Sequence, residues 1–350
     1  MPQLPIPAAT GDVWGNTLNN FLKQVQSETD GSLNFAAARP TGKTVGYTMV
    51  DTTTRELIRF NATGGWDVLM GGQANGIESL TADREFWVAT NGNDSNPGTN
   101  ASPFLTIQKA IDTLYQKINA NGFNVTIKLK PGTYPPQRVL FSGLPIGETM
   151  VNLEGTGANP SDTILQTSND FRYSVNAANS ASLMVRNLKL QKTGTFTGSN
   201  TWAGGLAATT SAYIAIENIE FGDFELNSGY SGFHIYAGAG GKINVSATNY
   251  NVSGGAAWHY FSQDTGSIIC GYVPAVTVTV LGNNVRFSSG VYSSGIQGIM
   301  LLGSVNWINK ASVTTPISGR VRRLGYLDGL TNANIPGTAT WNVDTSGFAE

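Results

Sequence analysis

Apolar and polar positions alternate in short runs over most of the chain, and glycine, asparagine, serine and threonine separate the runs. Alternation of period two marks strands with one buried face. It predicts strands over Met150–Leu153, Thr163–Leu165, Leu183–Leu190, Tyr213–Phe221, Lys242–Ala247, Ser267–Cys270, Val276–Leu281 and Ile299–Leu302. Two stretches change to a helical period. In one, Ser102-Pro103 suits a first turn, because proline has no N–H to lose there. Phe104, Ile107, Ala110, Ile111, Leu114 and Ile118 then share a face. That face must cover something apolar, so the expectation is a helical lid on the open end of a stack of strands. In the other, Asp12 caps a helix from Val13 to about Ser27, with Trp14, Leu18, Phe21, Leu22 and Val25 as its apolar stripe. A lone helix of this length is marginal in water. Its stripe packs either on its own chain or on identical helices of sister subunits about an axis.

The strands also repeat. ASLMVRNLKLQ and AYIAIENIEFG follow the same order of small, apolar and polar residues, with Asn187 and Asn218 in equivalent slots 31 residues apart. GGKINVSATNYNV echoes them roughly 29 residues later, a spacing that suits one coil of a β-helix. The asparagines read as a stacked ladder where each coil turns between sheets, not as catalytic groups. Such a rod is stiff and offers a lateral surface to long ligands.

Composition narrows the picture. Only 13% of the 350 residues are charged and 42 are glycine, which fits an all-β solenoid with tight turns. A net charge of −2 gives no basic footprint, so no nucleic-acid partner is expected. A neutral polar partner such as a glycan fits better. Cys270 is the sole cysteine, which rules out an intrachain disulfide. The opening MPQLPIPAATGDVWG lacks the pattern of a signal peptide, and no run of about 18 apolar residues predicts membrane insertion.

Two resemblances rest on particular phrases. FWVATNGNDSNPGTNASPFLTIQKAID followed by VTIKLKPGTY resembles the opening of right-handed parallel β-helix proteins of the pectate-lyase-like class. It shares their order of strand, N-G-N-D-x-x-P-G-T turn, P-F-x-T-I-Q-x-A-I, second strand and P-G-x-Y. GDVWGNTLNNFLKQVQSETDGSLNF is similar to the N-terminal region of phage tail fibres and tailspikes, and GYTMVDTTTRELIRFNATGGWDVL is similar to their small hairpin repeat. Tyr47–Val50, Leu57–Phe60 and Trp66–Leu69 are strand-like in that repeat, with turns between them. Together the resemblances imply a mainly β chain: a right-handed parallel β-helix capped by an N-terminal amphipathic helix, preceded by a small helix and a β-hairpin anchoring region. They imply an arm and helix over 1–43 for particle attachment or trimer contact, a hairpin module over 44–72 and a linker over 73–84. A β-helix body over 85–310 and a C-terminal cap over 311–350 complete the expected organisation.

Chemistry is the open question. A glycosidase needs two carboxylates roughly 5–10 Å apart. The best cluster is Glu217, Glu220, Asp223 and Glu225, with Asp223 and Glu225 at i, i+2 and Asp264 about a coil and a half further on. Asp223, Glu225 and Asp264 are therefore the catalytic candidates if the protein is an enzyme; solvated carboxylates on a soluble rod are the simpler explanation. His234, Tyr236, Trp258, His259 and Tyr260 lie in aromatic-rich strands, and Trp202 in a Gly/Ser/Thr-rich stretch. Facing outward, they would stack on sugar rings and hydrogen-bond hydroxyls; several could equally pack inside the coils or between subunits. No metal-ligand spacing is present and no cofactor is expected. NGNDSNPG lacks the late bidentate glutamate of a calcium loop. Pectate-lyase-type chemistry fits poorly, because the middle coils, about residues 195 to 275, hold Lys242 alone and no arginine. The resulting expectation is a spike or short tail fibre of a phage-like virion, a homotrimer joined through residues 1–70 to a tail, baseplate or capsid protein. It would be assembled in the host cytoplasm and bind host surface polysaccharide. A depolymerase and a non-enzymatic particle decoration are the alternatives.

Overall fold

The structure is a computed structural model that describes residues 34–36, 41, 48–51, 56–71, 77–147, 150–168, 170–194, 202–225, 231–245, 249–269, 276–283, 285–301, 305–315, 319–322, 325–328, 336, 341–343 and 348–349. The expected N-terminal helix with Trp14, Leu18, Phe21, Leu22 and Val25 lies outside the described residues, as does Cys270. The chain divides into two compact units, Met1–Glu78 and Ser79–Glu350.

The first unit holds a small sheet in which Thr48–Asp51, Glu56–Phe60 and Trp66–Gly71 run antiparallel in succession. Asn34–Ala36 lies parallel to Thr48–Asp51 at its edge. Asn61 closes the second turn by accepting, at Oδ1, the N–H groups of Thr63 at 3.2 Å and Gly65 at 2.8 Å. Gly64 there takes a left-handed φ of 82°.

The second unit is a parallel β-helix, built of strands stacked coil on coil in long parallel sheets. One line of register partners runs Ser182, Tyr213, Lys242, Ser267, Ile299, Tyr326 and Phe348. Beside it Val151, Leu183, Ile214, Ile243, Ile268 and Met300 stack as a buried aliphatic column. Alternation produces this column: every second side chain points inward, and the coil repeat places like residues over one another. Ser182–Lys192 and Tyr213–Phe221 each bend between two faces. The first half of Ser182–Lys192 pairs with Val151–Gly155, and its second half with Thr163–Thr167.

The bends lie at Asn187 and Asn218, whose φ values of 54° and 50° are left-handed. Asparagine tolerates that region better than most residues. Asn218 Nδ2 donates to Asn187 Oδ1 at 2.9 Å, and Asn187 Nδ2 donates to the carbonyls of Gly155 and Gly157 at 2.8 and 2.7 Å. The expected asparagine ladder is thus present. Asn218→Ala should cost about 2 kcal/mol, from a lost hydrogen bond and an alanine forced to positive φ. The check is a shift of the urea midpoint with an unchanged m-value.

A third face consists of Leu140–Ser142, Tyr173–Ala178, Trp202–Ala208, Ser231–Ala237, Ala256–Ser262, Val285–Ser294, Gly319–Val321 and Trp341–Val343, all parallel. Most of it carries no alternating pattern and was not expected from the sequence. Pairing also continues beyond residue 310, through Tyr326–Asp328 to Phe348–Ala349. The stretch read as a C-terminal cap therefore adds strands to the same sheets.

Among the described residues there is one α-helix, α1 (Ile107–Lys117). It begins later than Pro103, because Asp94 Oδ1 accepts the N–H groups of Leu105 and Thr106 at 2.9 and 2.8 Å and holds them outside the helix. Thr106 is the N-cap, accepting from the Lys109 N–H at 3.2 Å. Ile107, Ala110, Ile111 and Leu114 are buried in the same core as Phe86, Val88, Ile127 and Leu129 of the first strands. The NGNDSNPGT turn thus seats the helix by hydrogen bonds, as an Asx-rich turn does.

Candidate functional site

The third face carries apolar side chains on both of its sides. Leu206, Ile235 and Tyr260 belong to the inner core, while Ala207, Phe233, Tyr236, Ala257 and Trp258 form a second, separate cluster on the opposite side. Tyr173, Trp202 and Phe261 pack against that outer cluster and stay partly exposed. Coil stacking assembles it: Gly204 pairs with Phe233 and Phe233 with Trp258, while Ala207 pairs with Tyr236 and Tyr236 with Phe261. The small residues of the Trp202–Ala208 strand leave room for the rings of its neighbours.

Trp202 is the centre of the strip. Its ring meets Phe233, Tyr236 and Phe261 edge-on at centroid distances of 5.4, 5.9 and 5.7 Å. Tyr173 stacks on Tyr236 at 6.1 Å, with 5° between the planes. Phe233 is wholly buried, whereas Tyr236 and Trp258 keep 8% and 6% of their surface. Gln263 Nε2 donates to the Tyr236 hydroxyl at 3.2 Å. Burial raises both the Tyr173 and Tyr236 phenols, so these hydroxyls stay protonated at neutral pH. Such a strip of rings with one partnered hydroxyl is the kind of surface on which the apolar face of a sugar can lie.

His234, His259 and Tyr260 do not belong to this surface. All three are fully buried. Their polar atoms form one chain: His234 Nδ1 lies 2.7 Å from His259 Nδ1, and His259 Nε2 lies 2.7 Å from the Tyr250 hydroxyl, which meets that of Tyr260. His234 Nε2 faces the carbonyl oxygens of Gly222 at 3.0 Å and Gly255 at 3.3 Å, so that nitrogen carries the proton. His234 Nδ1 then accepts from His259 Nδ1–H, and His259 Nε2 accepts from Tyr250. Both imidazoles are neutral. Burial pushes His234 down to about 4 from its ordinary 6.5, and burial together with the neighbouring His234 holds His259 well below its ordinary value. Of the glycan-contact candidates, the structure brings Trp202, Tyr236 and Trp258 together and places His234, His259 and Tyr260 inside.

The carboxylates are tied down. Glu220 is almost fully buried, 2.7 Å from Lys189 Nζ and accepting from Ser253 Oγ at 2.5 Å. Asp223 meets Lys192 Nζ at 3.0 Å, and Glu225 meets Arg286 Nη1 at 2.6 Å. Asp223 Oδ1 also accepts the Glu225 N–H at 2.9 Å. Asp223 and Glu225 are adjacent, as the i, i+2 spacing suggested, but each has its own cation. Asp264 is not with them. It occupies a corner turn with φ 49°, where its N–H donates to the Ile296 carbonyl and its carbonyl accepts from Gly240. Gly254 packs against the Asp223 backbone, and the Ala256–Ser262 strand lies between Gly254 and Asp264. At about 3.3 Å per residue, that strand separates the two carboxylates by roughly 20 Å, beyond the reach of a shared glycosidic bond.

Sequence reasoning missed Tyr173, because its place on the strip appears only through the register Tyr173 with Gly204. No cluster of three metal-ligating side chains occurs among the described residues, and no helix among them is long and apolar enough to cross a membrane.

No protein-family model matches the chain, and no curated protein matches it. Among solved structures, ybhc of Escherichia coli is 15% identical, with a TM-score of 0.46 over 87% of this chain and 88% of that one. The GH136 lacto-N-biosidase of Eubacterium ramulus is 12% identical, with a TM-score of 0.27 over 70% of this chain and 61% of that one.

Proposed function

We propose that the protein is a spike or short tail fibre of a phage-like particle that binds a host surface polysaccharide along the outer aromatic strip of its β-helix. In this reading the body is right-handed and pectate-lyase-like, α1 closes its N-terminal end, and residues 1–70 join a homotrimer to the particle. The observation that carries the binding role is the outer cluster of Tyr173, Trp202, Phe233, Tyr236, Trp258 and Phe261. Tyr173, Trp202 and Phe261 keep part of their rings at the surface of this cluster, and a contiguous patch of exposed rings marks a contact surface. The tail-fibre-like phrases at the N-terminus support the particle role.

Binding without cleavage is the favoured chemistry. A glycosidase needs two carboxylates that face the scissile bond together, whereas Asp223 is held by Lys192 and Glu225 by Arg286. Purified protein should sediment as a trimer and retain surface polysaccharide from cells that the particle infects, releasing no new reducing ends or unsaturated uronates. Cleavage abolished by Asp223→Asn or Glu225→Gln would replace this reading with a depolymerase. Normal adsorption of particles lacking the protein would replace it with a structural decoration.

A further inference from the structure

The outer strip continues in register past its last ring. On the third face Tyr236 pairs with Phe261, Phe261 with Ser293 and Ser293 with Arg320. These pairings set the four residues in one outward column, roughly 14 Å long at about 4.8 Å per coil. Ser293 is too small to stand between the ring of Phe261 and the guanidinium of Arg320. A second column runs beside the first. The N–H groups of Gln263, Gly295 and Arg322 donate to the carbonyls of Ala237, Ser262 and Ser294, each one coil back, so the three hold equivalent corner positions. This corner position faces the strip, since Gln263 Nε2 donates to the Tyr236 hydroxyl at 3.2 Å. Arg322 occupies it two coils further on and is exposed. Val321, between the two arginines, is buried, which places Arg320 and Arg322 on one side of their strand.

Neither arginine side chain joins an ion pair among the described residues, whereas Lys189, Lys192 and Arg286 are paired with Glu220, Asp223 and Glu225. Arg320 Nε is buried and makes no hydrogen bond among the described residues, so the fold there leaves its charge uncommitted. No carboxylate stands in either column. Two like charges at i, i+2 on one side of a strand repel, and a bound anion reverses that repulsion. We propose that Arg322, with Arg320 beside it, is an anion subsite at the end of the aromatic strip, so that an acidic glycan lies with its rings along Trp202, Tyr236 and Phe261 and its anionic group on the Arg322 guanidinium. The proposal rests on the glycan-binding reading and gives it a charge class. A planar guanidinium matches carboxylate, sulfate and phosphate oxygens with paired, directional donors. The whole chain carries a net charge of −2, so attraction for an acidic glycan has to be local, and the paired arginines supply it.

The test is a glycan array with uronate-bearing, sulfated, phosphorylated and neutral oligosaccharides, probed with the full-length protein and with Arg322→Gln, Arg320→Gln and Lys117→Gln variants. Lys117, exposed on α1 away from the strip, controls for the change in net charge. The expected hits are acidic glycans, and the anionic class that binds identifies the acid. Arg322→Gln should weaken them about tenfold, the loss expected for a hydrogen bond to a charged group. Arg320→Gln should weaken them in the same direction, and Lys117→Gln should bind as the parent does. Binding should also fall as salt rises from roughly 0.05 to 0.5 M, because exposed charges are screened. Arg322 is exposed, so its variant should melt as the parent does and decides the outcome even where Arg320→Gln melts lower. Glycan hits that Arg322→Gln weakens no more than Lys117→Gln does would overturn the subsite and keep the binding role. Binding to no glycan at all would overturn both.

Discussion

Between pH 6.5 and about pH 4 the protein is expected to lose roughly 3 kcal/mol of stability through His234 alone. The unfolded chain takes up a proton at this histidine near 6.5, while the folded core admits one only near 4. Between these values the unfolded state binds more protons, so stability is complete above the window and falls as the pH falls through it. His259, lowered in the same sense, adds to the loss. The geometry explains why the core resists. The hydrogen bonds run in one direction, from Tyr250 to His259 to His234 to the Gly222 and Gly255 carbonyls. A second proton on either imidazole would oppose two donors at 2.7 Å. Asp223 is the nearby charge and favours the protonated form, but desolvation outweighs it. Urea titrations at stepped pH measure the loss. Imidazole NMR signals that remain those of neutral rings down to about pH 4 assign it to the histidines, separating it from carboxylate titration. Equal stability at pH 7 and pH 4 would contradict the chain of neutral donors.

Trp202→Ala is the substitution expected to damage recognition most. It removes the ring that covers Phe233, Tyr236 and Phe261, and stacking of this kind contributes about 0.5–1.5 kcal/mol per aromatic pair. Polysaccharide binding should fall at least tenfold, and the loss of edge contacts should cost about 2 kcal/mol of stability. Trp202→Phe should recover part of both. The two readouts separate a binding surface from simple packing: full binding by a folded Trp202→Ala protein would assign the strip to structure alone. Measurements by calorimetry against the polysaccharide and by thermal melting decide between them.

The two faces with one solvated side were legible in the sequence, and the third was not. Tyr213–Phe221 alternates clearly enough to be bounded from the pattern, and Asn187 and Asn218 announced their corner by their spacing. Trp202–Ala208, reading WAGGLAA, is apolar or small on both sides and therefore shows no alternation. Losing that face also misplaced the histidines. With GFHIYAG and AWHYFSQD read as isolated stretches, nothing indicated that His234 and His259 would point inward while Phe233 and Trp258 point outward. Asp264 failed for a related reason, since the width of the third face separates it from Asp223. Pairing partners in a coil are set by residues a whole turn away, and a local pattern does not carry that information.

One corner of the coil has a further consequence. Gly241, Gly266 and Gly298 each lie just before the register line of Lys242, Ser267 and Ile299, and a Cβ on any of them would collide with the carbonyl oxygen of Ala208, Ala237 or Ser262 on the preceding coil. Ala181 and Ala212 hold the same place before Ser182 and Tyr213. The chain therefore returns to an equivalent junction once per coil. Joining Gly266 directly to Ile299 would excise one coil beyond the aromatic strip, leave the remaining columns in register and shorten the rod by about 4.8 Å. Reach and ring stacking are thus separable in this architecture: length changes in whole steps at the glycine corner, while the aromatic strip stays as it is.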